Sequence, residues 1–234
     1  MLRSIFGDEP RKDIGILNET NIAIDAFSIR LRSDHDCAGG VKDKWIRLDL
    51  WATGLRGALD ELEQSVYCSV RYGANINKPT EEEMSSEELV NYDRHLYYYK
   101  NAFIRVFSTL DKTGYFLDRL YDLDTARVKP KFSYYTVLRQ LHKLPNYKDL
   151  EQHLYEIKVK YQKPMSRLKT RRNLEIHSLN AELIDDIWQR RRCFATTHMV
   201  EPVQINLEDL KLGFDMVCES LLTIFTYCSS RSHE

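Results

Sequence analysis

Long runs of apolar residues spaced three and four positions apart constrain this fold more than any other feature of the sequence. One run extends from Trp45 to Val66, and a longer one extends from Leu89 to Tyr121. Residues at these spacings lie on one face of an α-helix, so each run predicts a long helix with a single apolar stripe. The acidic segment 81–88 precedes the longer run and suits the positive end of a helix dipole.

The second half of the chain repeats this spacing in shorter segments. We expect helices near 134–142 and 150–161, and Pro164 predicts a kink or a new helix start because proline has no amide hydrogen to donate. The next stripe runs to Ile187, and a loop ending at Pro202 leads to a last helix. Several long helices with mostly short connections predict an all-α fold, an antiparallel helical bundle.

Residues 1–40 carry the weakest pattern in the chain. Ile22, Ile24 and Ala26 alternate with their neighbours, which favours one short strand or hairpin. Residues 34–40 predict a loop, and the spacing of their histidine, cysteine and aspartates matches no metal site. The sequence therefore predicts a short irregular N-terminal extension over 1–40 and a helical bundle domain over 41–234.

The composition limits the compartment and the partners of the protein. The net charge is −1, so binding of a polyanion depends on local clusters of cations. None of the 5 cysteines forms a C-x-x-C pair, and the first residues carry no apolar run typical of a secretion signal. Leu221–Phe225 is the longest apolar stretch and is too short to span a bilayer. We expect a cytoplasmic protein with reduced cysteines and no membrane partner.

The strongest chemical signal is the run from Arg172 through Asn173 to His177. Arg172 falls on the predicted apolar stripe, where a permanent charge costs free energy unless another group uses it. Five positions on a regular helix correspond to a rotation of about 140°, so Arg172 and His177 would not share a face. The two side chains meet only if the helix is irregular there or if a second copy supplies the missing half.

Other cations precede this run in the sequence. Arg167, Lys169 and Arg171 lie just before it, and such clustering favours a phosphate partner. They are the candidate phosphate- or RNA-binding residues. The alternative for Arg167 and Lys169 is a solvated basic helix face without a ligand.

The run Arg172-Asn173-x-x-x-His177 in an all-helical chain resembles the motif of the HEPN superfamily, which contains helical nucleases and nucleotide-binding domains. Residues 101–112 also look like the core helix of a bacterial branch of that superfamily whose function is unknown. The resemblance covers residues 45–228. It implies a homodimer with its site at the interface and an endoribonuclease that needs no metal and no cofactor.

The same resemblance assigns roles to the three residues. His177 would act as general base on a ribose 2′-hydroxyl or as acid toward the leaving 5′-oxygen, Arg172 would stabilise the phosphate charge, and Asn173 would orient the pair. The products would carry a 2′,3′-cyclic phosphate and a 5′-hydroxyl. The partners would be RNA or a nucleotide, and a neutralising partner protein stays open.

Two other classes of protein are also compatible with a helical chain. A helical nucleotide pyrophosphohydrolase holds magnesium with paired glutamates, and the chain contains no E-x-x-E. A non-catalytic helical module that binds a nucleotide or a protein stays open as the alternative. In such a module, Arg172 would hold a phosphate or a buried carboxylate.

Overall fold

The computed structural model describes residues 2–12, 14–37, 42–128, 132–177 and 203–230. The regular elements in these ranges are helices, which confirms the all-α fold. In chain order they are α1 (Leu2–Ile5), α2 (Gly15–Cys37), α3 (Lys42–Gly73), α4 (Ser86–Leu120), α5 (Thr125–Val128), α6 (Tyr134–Leu141), α7 (Lys148–Lys160), α8 (Gln162–His177) and α9 (Val203–Ser230). Short 3-10 helices span Glu81–Glu83 and Pro145–Tyr147.

The two longest predicted stripes correspond to α3, with 32 residues, and α4, with 35 residues. The stripe of α3 is buried along its length, at Leu48, Ala52, Leu55, Leu59 and Leu62. Because both stripes are continuous and apolar, the spacing of their apolar residues alone identifies each helix and the face that it buries.

The strand or hairpin predicted near Ile22 is wrong, because this segment belongs to the 23-residue helix α2. Ile24, Phe27 and Leu31 step by three and four and are buried. The helical stripe is hard to see in the sequence because polar residues complete it: Thr20, Asn21 and Ser28 are buried as well. The loop predicted for residues 34–40 is also partly wrong, since α2 extends through Cys37 and 38–40 lie outside the described residues.

Contacts divide the chain into two compact units. The first contains Met1–Glu61, Val106–Lys160 and Asp215–Glu234, and the second contains Leu62–Arg105 and Tyr161–Phe214. Helices α3, α4 and α9 each contribute residues to both units.

An aromatic cluster forms part of the core of the first unit. The ring of Phe27 packs edge-on against Phe116 and Phe225, with centroid distances of 5.7 and 5.2 Å. Phe116 and Phe225 are 5.1 Å apart. Because Phe27 comes from α2, the predicted N-terminal extension is part of the hydrophobic core.

Ion pairs show that α2 and α3 run antiparallel. Arg32 Nε lies 3.0 Å from a carboxylate oxygen of Asp49, and Arg56 pairs with Asp25. A later residue of α2 thus contacts an earlier residue of α3. The predicted antiparallel arrangement holds for these two consecutive helices.

Helix α9 instead runs parallel to α2. Thr20 Oγ1 donates a hydrogen bond of 3.2 Å to the carbonyl oxygen of Cys218, and Arg30 donates one of 2.6 Å to that of Ser229. The later residue of α2 thus contacts the later residue of α9, so the two helices run in the same direction. None of the helices in the described ranges has an apolar stretch that would reach across a lipid bilayer.

Candidate functional site

The candidate motif lies at the C-terminal end of α8, and Pro164 explains where this helix begins. Helix α7 ends at Lys160 and α8 starts at Gln162, so Pro164 lies in the first turn of α8. Proline is tolerated in the first turn because amide hydrogens there have no partner within the helix. The predicted new helix start at Pro164 is therefore confirmed.

The apolar stripe of α8 is buried only in its first half. Met165 and Leu168 are buried, Arg172 is half-buried, and Ile176 is 49% exposed. The stripe predicted from the sequence therefore reaches the surface where the motif begins. The part of the stripe after His177, with the loop that follows it to Pro202, lies outside the described residues.

Arg172 and Asn173 contact each other directly. Arg172 Nη2 donates a hydrogen bond of 2.8 Å to the side-chain oxygen of Asn173, and Arg172 Nε donates a longer one of 3.3 Å to the same atom. Both residues are half-buried. An amide oxygen carries no net charge, so this contact orients the guanidinium without adding a negative charge beside it.

His177 is exposed and is the last residue of α8. The helix is continuous from Gln162 to His177, so the irregular helix that would bring the pair together within one copy is absent from this range. The side chains of Arg172 and His177 leave a regular helix about 140° apart, with a rise of about 7.5 Å between the two residues. The helix therefore does not by itself bring the two side chains onto one face.

The cations before the motif have different surroundings. Arg167 forms a two-pronged ion pair with Asp209 of α9, with distances of 2.6 and 2.5 Å. The hydrogen bond that Arg167 donates to Asp209 raises the pKa of Arg167, and Asp209 itself is buried. Lys169 is exposed, and Arg171 is half-buried. The RNA-binding role of Arg167 stays a prediction, but this guanidinium already has a carboxylate partner.

An ion pair within the second unit anchors the motif segment. Lys100 Nζ of α4 lies 3.4 Å from a carboxylate oxygen of Glu175, which is two positions after Asn173. Both side chains are mostly shielded from solvent. In the sequence, Glu175 is an acid that follows several cations. No local signal predicts this contact, because its two residues lie far apart in the chain.

The described residues contain no group of three or more histidine, cysteine, aspartate or glutamate side chains arranged around a common point for a metal ion. The site on α8 consists instead of a cation, an amide and an imidazole. Groups of these kinds can bind a phosphate and transfer protons.

Comparison with known proteins identifies the family. The model of a family described as Cthe2314-like HEPN matches residues 51–229, a range that includes α8 and most of α3 and α9. Neither the comparison with curated proteins nor that with solved structures gives a match. Since the family model covers well over half of the sequence, the chain belongs to the Cthe2314-like HEPN family.

Proposed function

We propose that this protein is a metal-independent endoribonuclease in which Arg172 and His177 act on the scissile phosphate. Membership of the family places the chain among helical nuclease and nucleotide-binding modules. The observation that carries the proposal is the presence of Arg172, Asn173 and His177 on one continuous helix, at the end where that helix reaches the surface.

The proposed reaction uses the RNA's own 2′-hydroxyl as nucleophile. His177 removes the proton from that hydroxyl, and the 2′-oxygen attacks the adjacent phosphorus. The bond to the 5′-oxygen breaks, this oxygen takes up a proton from water, and His177 releases the proton that it has gained to the solvent. The products are a 2′,3′-cyclic phosphate and a 5′-hydroxyl. Every proton and electron pair is accounted for without a metal ion.

Arg172 stabilises the negative charge that builds up on the phosphate oxygens. A guanidinium presents parallel N–H donors to a phosphate, and such charge-assisted bonds are stronger than neutral ones. The hydrogen bonds to Asn173 hold the guanidinium in one orientation before RNA binds. Preorganised donors of this kind are effective because they need no rearrangement during the reaction.

We place the site at the interface of a homodimer. A continuous α8 separates Arg172 from His177 within one copy, whereas a two-fold axis brings the arginine of one copy beside the histidine of the other. Lys169 and Arg171 then extend the cationic surface along the RNA backbone.

The decisive experiment compares two histidine variants. We expect His177→Ala to lower the rate of RNA cleavage by about 100-fold or more, because it removes the proton-transfer group. His153 is also exposed and lies on α7, so His153→Ala is the matched control and should cleave like the wild type. Cleavage of a single-stranded RNA is measured with EDTA present, and the product ends are identified by mass spectrometry.

Full cleavage by a folded His177→Ala protein, or loss of wild-type cleavage in EDTA, would contradict this proposal. The second candidate function is a non-catalytic nucleotide-binding module, which the separation of Arg172 from His177 on a regular helix favours. It predicts no cleavage and saturable nucleotide binding that Arg172→Ala removes and His177→Ala leaves unchanged.

A further inference from the structure

We infer that a cleft between α6 and α7 binds a phosphorylated nucleoside, a ligand that combines an aromatic base with a phosphate. The cleft has a volume of about 410 Å³, which is within the range of small-molecule sites. It belongs entirely to the first unit, whereas the motif on α8 belongs to the second. The inference does not rest on the proposed nuclease activity.

Three cations line the cleft. They are Arg139 of α6 and Lys148 and Lys158 of α7. Within the described ranges, none of these three side chains is paired with a carboxylate. Their charge is therefore available to an anion that enters the cleft, although the whole chain carries a net charge of −1.

Glu151 is the carboxylate in the lining, and it already has a partner. One of its oxygens lies 3.3 Å from His142 Nδ1, and its side chain is only 14% exposed. The imidazole of His142 can donate a hydrogen bond to this carboxylate. The lining therefore holds three cations against one partnered acid.

Tyrosines provide the second kind of surface. Tyr135 and Tyr155 line the cleft, and Tyr155 is half-exposed. Lys158 Nζ lies 5.0 Å from the centre of the Tyr155 ring, which places a cation directly beside an aromatic face. Exposed rings of this kind stack on nucleic-acid bases, and an ammonium group next to the ring suits the phosphate of the same nucleotide.

The buried side chain of Leu138 adds an apolar surface. Apolar and aromatic side chains together with a small number of charged groups are the features of a small-molecule site. A simple inorganic anion would use only the cations. The tyrosines and Leu138 therefore indicate a ligand that also has a flat, partly apolar ring.

Binding is tested by calorimetry with adenosine 5′-monophosphate on the full-length His177→Ala protein, so that RNA cleavage cannot interfere. We expect saturable binding, and binding at least about tenfold weaker for adenosine and for ribose 5-phosphate, which lack the phosphate or the base. A short oligoadenylate is titrated in parallel. Tighter binding of the oligoadenylate would identify a strand of RNA as the source of the nucleotide, and tighter binding of the monophosphate would identify a free nucleotide.

Variants then assign the binding to this cleft. Arg139→Ala, Lys158→Ala and Tyr155→Ala should each weaken binding about tenfold, while Lys143→Ala, an exposed lysine outside the lining, should change it less than about twofold. Circular dichroism and thermal melting verify folding, and the three single variants give independent readings if one of them unfolds.

Two results would overturn the inference. One is the absence of saturable binding of both the monophosphate and the oligoadenylate at millimolar concentration. The other is binding that stays unchanged in folded Arg139→Ala, Lys158→Ala and Tyr155→Ala proteins. Neither result bears on whether Arg172 and His177 cleave RNA, so failure here is distinguishable from failure of the proposed function.

Discussion

Arg167 and Lys169 are close in the sequence and carry the same charge, yet their surroundings differ. The guanidinium of Arg167 satisfies the buried carboxylate of Asp209 with two hydrogen bonds, whereas Lys169 is exposed. A buried carboxylate left without its partner destabilises the folded state. An exposed lysine contributes little to stability and is suited to bind a phosphate.

We therefore expect Arg167→Ala to lower the melting temperature and Lys169→Ala to leave it nearly unchanged. For RNA affinity at low salt the order should reverse, because Lys169 has the charge that is open to a phosphate. Thermal melting and a filter-binding titration of the same two proteins measure both effects. An Arg167→Ala protein that melts like the wild type and binds RNA weakly would show that the ion pair is not structural.

His95 makes stability depend on pH. It is 1% exposed, and its Nδ1 lies 2.8 Å from the carbonyl oxygen of Ser69. Burial lowers the pKa of His95 and outweighs the carbonyl contact, which favours the charged form. The unfolded chain therefore binds a proton at a higher pH than the native protein, and stability falls as the pH drops below the unfolded pKa of about 6.5.

We expect the free energy of unfolding to decrease between pH 7 and pH 5, by at most about 1.4 kcal/mol per pH unit from this one group. His95→Gln should reduce that decrease. His153→Gln is the control, since it removes a histidine from an exposed position. Urea unfolding at both pH values measures the difference, and an identical pH dependence in all three proteins would exclude His95 as its cause.

At the scale of elements, α2 contributes Phe27 to the hydrophobic core of the first unit. Phe27→Ala should lower the free energy of unfolding by about 3–5 kcal/mol, because it removes a buried ring that packs against two others. Ile29→Ala changes the same helix at a position that is 64% exposed and should change stability by less than about 0.5 kcal/mol. Denaturant titration compares the two, and equal effects would show that α2 is not packed as described.

The elements differ in how far their sequences reveal them. Helices α3 and α4 are predictable because their buried faces are almost wholly apolar, and Pro164 predicts the start of α8 because its effect on the backbone is local. Helix α2 is not predictable in this way. Its buried face includes Thr20 and Asn21, and Thr20 is satisfied there by carbonyl oxygens of Ile16 and Cys218. A polar residue on a buried helix face interrupts the three- and four-residue spacing of apolar residues. The helix is then hard to predict from the sequence unless the hydrogen-bond partners of that residue are known.

At the scale of the whole molecule, the proposed site depends on two copies of the chain. If each site combines Arg172 of one copy with His177 of the other, an Arg172→Ala protein and a His177→Ala protein are each inactive alone. A mixed dimer of the two variants contains one intact site. After unfolding and refolding together, random pairing should restore about one quarter of the wild-type cleavage rate.

Cleavage assays on the mixed sample and on each variant alone measure this recovery, and sedimentation equilibrium gives the oligomeric state. A mixture of dimers that stays inactive would mean that each site takes both residues from one chain, or that no such site exists. Wild-type protein taken through the same unfolding and refolding is the control for recovery of activity.

The sequence by itself determined the helical character of the chain and the presence of Arg172, Asn173 and His177 on one helix. These are local properties, since a helical period and a short motif depend on residues within a few turns of each other. Only the tertiary structure decided which cations have partners and which helix faces are covered. Asp209 lies 42 positions from Arg167, and the cleft depends on how α6 packs against α7. Such contacts arise when distant segments pack together, and no local pattern encodes them.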